Sequence, residues 1–106
     1  MAGPRIPSRP QLAPGTVVLT VRGRIDAARA NRLCDEVRRM LEASGALIVD
    51  CDVATVTQPD VATVDTLARM SLTARRLNRR LRLRNASPRL QELIVLAGLL
   101  EVMPCL

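Results

Sequence analysis

Two blocks of opposite charge adjoin in the middle of the chain. Residues 46 to 68 carry Asp50, Asp52, Asp60 and Asp65 and no basic residue, whereas residues 69 to 90 carry eight arginines and no acid. Clustered carboxylates suit a hard cation. Turn and cap roles for Asp52 and Asp60 are the stronger reading, so no metal is expected. The arginines Arg75, Arg76, Arg79, Arg80, Arg82 and Arg84, followed by Arg89, form a candidate basic patch for an acidic protein, anionic headgroups or nucleic-acid phosphates. A solvated face on an arginine-biased chain is the competing reading. Direct nucleic-acid binding is not expected, because no recognition motif accompanies the charge and there is no aromatic residue on which bases could stack.

Enzyme chemistry finds few groups to work with. The 106 residues contain no histidine, and all 16 basic residues are arginine. Ser-His and Cys-His catalysis are therefore excluded, as are Schiff-base and phosphate-loop lysines. The glycines are scattered singly, so no Gly-rich phosphate cradle is present. Cys34, Cys51 and Cys105 are too widely spaced for a zinc site, and Cys34 and Cys51 read as small buried hydrophobes. No catalytic residue and no cofactor are expected. The longest charge-free apolar run, Leu93 to Leu100, is far short of the roughly 20 residues that span a bilayer, and a soluble cytosolic protein follows.

These groups must be positioned by a small α/β fold. Prolines at 4, 7, 10 and 14 predict a disordered leader over residues 1–15, with one domain over 16–106. Thr16 to Arg22 is β-branched and alternating, a strand closed by Gly23. Asp26 then caps a helix whose Ala30, Leu33, Cys34, Val37, Met40 and Leu41 share one face, stopped by Gly45. Ala46 to Val49 reads as a short buried parallel strand ending in acid at Asp50 and Asp52. After a Thr-rich loop to Pro59, a second helix aligns Val64, Leu67, Met70, Ala74 and Leu77, with Asp65 and Arg69 paired at i, i+4. Arg80 to Arg84 alternates strictly, an edge strand with Leu81 and Leu83 inward. Ser87 and Pro88 open a third helix, stopped by Gly98. Leu99 to Met103 adds a last short strand or helix. Alternating strands and helices imply a mostly parallel sheet, of four or five strands with three or four helices.

Gly23-x-Ile25-Asp26 after a strand, Ile48-Val-Asp50, a helix starting near Asp60, and the closing Ser87-Pro88, Leu90, Leu93 and Gly98-Leu99 resemble the STAS family of sulfate transporters and anti-sigma factor antagonists. The resemblance covers about residues 16 to 104. The family usually carries Asp-Ser-Ser-Gly-Leu after the central strand, and in the antagonists the partner kinase phosphorylates the second serine. Counting forward from Asp50 puts Asp60 at that serine. Counting back from Asn78 matches Asp60 to the family's aspartate, Val61 and Ala62 to the two serines, Thr63 to the glycine and Val64 to the leucine. The second register is preferred because it keeps the helix intact and places extra residues in a loop. In both, the switch serine is missing. Thr57 and Thr63 keep hydroxyls nearby, but a helix-start threonine is more often a cap or a solvated residue than a phosphosite.

The resemblance implies a non-catalytic interaction module docking through Asp60, Val61, Ala62, Thr63 and Val64. The partner would be an anti-sigma kinase or, alternatively, the subunits of an ABC-type lipid transporter, with membrane contact only through that partner. A nucleotide-binding STAS domain is a third reading, and a homodimer is left open.

Overall fold

The computed structural model describes residues 15–106, so the leader expected over residues 1–15 lies outside the described residues except for Gly15. Strand β1 (Thr16–Gly23) leads through a short 3-10 turn (Ala27–Arg29) into helix α1 (Ala30–Ser44). Strand β2 (Ile48–Val56), helix α2 (Val61–Arg76), strand β3 (Arg80–Arg84) and helix α3 (Pro88–Leu96) follow. The strands form one parallel sheet in the order β1-β2-β3. Because sheet order follows chain order and such crossovers are right-handed, α1 and α2 are carried to the same face.

Register then sorts the side chains. Val17, Val49 and Leu81 align across the sheet, as do Leu19, Cys51 and Leu83, and these rows meet the helices in the core. The opposite face shows Val18, Asp50 and Arg82 in one row and Thr20, Asp52 and Arg84 in the next. The apolar stripe of α1 packs Ala30, Leu33, Val37 and Leu41 inward, and Gly45 ends it in the left-handed conformation with its N–H on the Leu41 carbonyl. Helix α2 is buried on a wider arc, since Thr63, Thr66 and Ser71 are enclosed with Val64, Leu67, Met70 and Ala74. Each of these hydroxyls donates to a carbonyl of a neighbouring segment, at Ile25, Asp26 and Val102, so these three buried hydroxyls are satisfied.

Three expectations are corrected. Strand β2 does not end at its acids but runs on to Val56. One extra β2 residue bulges opposite Val21, and the Asp52 carboxylate accepts from the Ala54 N–H at 3.0 Å in that irregular stretch. Asp26 does not cap α1 through its side chain; the chain makes the 3-10 turn first, while Arg29 Nη1 donates to the Arg22 and Arg24 carbonyls at 2.8 Å. The sheet has three strands among the described residues, not four or five. After α3 the chain forms turns that bury Met103, and only one parallel bridge, Leu83 to Cys105, lies on the outer edge of β3. Pro104 has no N–H to extend that pairing, so the tail covers the edge without becoming a strand.

Candidate functional site

The carboxyl ends of β1 and β2 lie side by side, so the segments that follow them meet at the start of α2. There Asp60 and Thr63 form a reciprocal capping box: the Thr63 N–H donates to Asp60 Oδ1 at 3.0 Å, and the Asp60 N–H donates to Thr63 Oγ1 at 3.1 Å. Arg24, from the segment after β1, places Nη2 3.1 Å from Asp60 Oδ2. The Thr57 N–H bonds the Gly23 carbonyl at 3.0 Å, tying the two loops together.

This arrangement favours the ionised form of Asp60. The Thr63 N–H above all, and then Arg24 and the Thr63 hydroxyl, hold its carboxyl below the ordinary value of 3.8, against an opposing effect of desolvation. A folded-state pKa below the unfolded one stabilises the fold fully above the ordinary carboxylate range, and that contribution disappears as pH falls through the depressed value. Thermal melts should therefore show wild type losing Tm on acidification more steeply than Asp60→Asn, whose amide still caps. Parallel slopes would mean that the charge on the Asp60 carboxylate adds nothing to stability.

Of the residues expected at the docking surface, the structure brings Asp60, Val61 and Ala62 to the surface. Val61 stands 78% exposed on the first turn of α2, and Ala62 is half-buried beside it. Thr63 and Val64 are instead enclosed, because positions three and four along the helix turn back over the sheet. Thr63 is fully buried and its hydroxyl is bound at Ile25. Sequence reasoning missed Arg24; once parallel neighbours are assigned, the Gly23 turn after β1 is the signal that sets it opposite the start of α2.

The aspartates do not converge. Asp50 is paired with Arg82, Asp65 with Arg69, Asp60 with Arg24, and Asp52 accepts from Asn85 at 3.2 Å. Among the described residues no group of three or more acids and cysteines could hold a metal ion. The basic patch is also divided. Arg75 and Arg76 are ~100° apart around the helix: Arg76 turns to the groove between α1 and α2 with Cys34 and Leu72, whereas Arg75 shares a second groove with Arg79 and Arg80. Arg82 is occupied by Asp50, and Arg89 pairs with Glu92. Arg84 aligns with Asp52 on the sheet without an ion pair to it. Burial, and secondarily nearby Asp52, pushes the Cys51 thiol up to about 12, so it is a core residue with no thiolate chemistry. Cys34 and Cys105 are half-buried, and burial raises Cys105 as well.

The family model described as "Mlab, STAS domain" matches residues 8–104. The chain belongs to the STAS domain family. STAS domains are generally non-catalytic interaction modules. No curated protein matches the chain. Among solved structures, the protein TM1081 is 12% identical with a TM-score of 0.72, over 100% of this chain and 90% of that one. The STAS domain of a SulP transporter from Vibrio cholerae is 17% identical with a TM-score of 0.68, over 91% of this chain and 73% of that one. The anti-sigma factor antagonist SpoIIAA in its unphosphorylated form is 14% identical with a TM-score of 0.59, over 80% and 77%. At these identities the likeness is one of fold. No described helix is long and apolar enough to cross a membrane.

Proposed function

We propose that this STAS protein is a non-catalytic cytoplasmic regulator that docks a protein partner through Asp60, Val61 and Ala62, in the manner of an anti-sigma factor antagonist without the switch serine. The observation that carries this reading is Val61, an apolar side chain 78% exposed on a helix start locked by the capping box and Arg24. A rigid apolar projection loses little freedom on binding, and charged Asp60 beside it supplies a polar rim. The partner would carry a kinase-like anti-sigma fold. No cofactor and no direct nucleic-acid contact enter the function.

A second reading keeps the same surface and changes the partner to the subunits of an ABC-type lipid transporter; that a transporter's STAS domain shares the fold supports it. Affinity capture from host lysate, comparing wild type with Val61→Asp/Ala62→Asp, tests both. Acidic residues are tolerated in the first turn of a helix, so the variant should keep its fold by circular dichroism. The expected result is a kinase-like partner held by wild type and lost with the variant. Transporter subunits lost in the same way would select the second reading. A bound set that the two charges do not change removes the start of α2 as the interface. Saturable GTP or ATP binding without a protein partner would favour a nucleotide-binding role.

A further inference from the structure

The opposite end of α2 holds a second arrangement that the docking reading does not use. The helix closes in a Schellman turn: Asn78 is left-handed, with φ 59°, its N–H bonds the Arg75 carbonyl at 2.9 Å, and the Arg79 N–H bonds the Ala74 carbonyl at 2.9 Å. The residue after the left-handed position in such a turn is commonly apolar and packs on the helix. Here it is Arg79. Its Nη1 donates to the Leu77 carbonyl at 3.1 Å, while its Nε is buried without a hydrogen-bond partner.

The same reversal of the chain gathers Arg75, Asn78 and Arg80 around Arg79, and the four line an open groove of about 340 Å³. Among the described residues, Arg75, Arg79 and Arg80 make no ion pair. A smaller hollow next to the groove adds Arg82, already held by Asp50, and Glu101, which also makes no ion pair. The negative end of the α2 dipole accounts for arginines gathering here. It does not account for a buried Nε–H that no carbonyl accepts, nor for three full positive charges left side by side.

We propose that this groove binds a phosphate-bearing anion, held by the guanidiniums of Arg75, Arg79 and Arg80 and the Asn78 amide. Charge and donor count favour phosphate. One carboxylate, with two oxygens, saturates a single guanidinium fork, whereas a phosphate monoester offers three terminal oxygens and up to two negative charges to several forks at once. Helix α2 has 16 residues at ~1.5 Å rise each, so the groove lies about 24 Å from the docking edge and does not depend on it.

The source of the phosphate, a soluble species or a lipid headgroup, is separated by the experiment. Inorganic phosphate titrated into 15N-labelled protein should give saturable shifts of the Arg79 Nε–H and Asn78 signals. Arg79→Gln, and independently Arg75→Ala/Arg80→Ala, should weaken that binding by at least about tenfold, the loss of one charge-assisted hydrogen bond. Arg76→Ala, which removes one charge from another helix face as Arg79→Gln does from this one, should leave it unchanged. Phosphatidylcholine vesicles with and without phosphatidic acid form the second arm. Retention on the acidic vesicles that the double variant abolishes assigns the site to a headgroup, and saturable phosphate binding without retention assigns it to a soluble phosphate. Linear shifts spread over all arginines, equal weakening by Arg76→Ala, or no response in either arm would overturn the proposal.

Discussion

Arg82→Met is expected to destabilise the fold by about 3 kcal/mol, because it leaves the Asp50 carboxylate enclosed without a counter-charge. The pair is two-pronged, with Nε on Oδ1 at 2.8 Å and Nη2 on Oδ2 at 3.2 Å, and the Asp50 side chain is 9% exposed against 30% for Arg82. A solvated pair would contribute between 0 and 1 kcal/mol. The enclosed carboxylate decides the difference, since its water has been removed and only the guanidinium replaces it. Asp50→Leu/Arg82→Met should recover most of the loss, because apolar groups of similar volume need no partner there. Urea denaturation of the wild type, the single variant and the double variant measures this, with stability read at unchanged m. A single variant that costs less than about 1 kcal/mol would place the pair in solvent in all but appearance.

That pair also explains where local sequence reading fails. Asp50 and Asp52 interrupt an apolar run, so the pattern ends a strand at Val49; the real β2 continues to Val56. What permits a carboxylate in mid-strand is an arginine on β3, 32 residues away, and no local window holds both. Arg24, 36 residues from Asp60, was hidden for the same reason. Features whose partners lie within one helical turn were legible apart from the Asp26 cap, which a 3-10 turn displaces. Ser87 accepts from the Leu90 N–H at 3.2 Å with Pro88 on the first turn, Gly45 stops α1, and Arg80 to Arg84 alternates as a half-buried strand. Legibility thus follows the range of the interaction. The arginine run shows the converse error, since neighbours in sequence are divided between faces by the helix pitch.

Thr63 carries a hydroxyl at the start of α2 where phosphorylation can be tested, and its substitutions should form an ordered series. The side chain is fully buried, bridging the Asp60 N–H and the Ile25 carbonyl. Thr63→Ser keeps the hydroxyl and loses one methyl group, about 1 kcal/mol. Thr63→Val keeps the shape and strands the buried Ile25 carbonyl and the half-buried Asp60 N–H, about 1 to 3 kcal/mol. Thr63→Glu demands both extra volume and a buried charge beside Asp60, several kcal/mol out of the roughly 5 to 15 available to a small domain, and should leave no cooperative melt. A phosphate on Thr63 carries more charge and more bulk than glutamate, so the native fold excludes it as a regulatory mark without prior opening of the α2 start. Thermal unfolding followed by circular dichroism gives the ranking directly. A Thr63→Glu protein that melts like wild type would show that this hydroxyl is not enclosed and would return Thr63 to consideration as the switch.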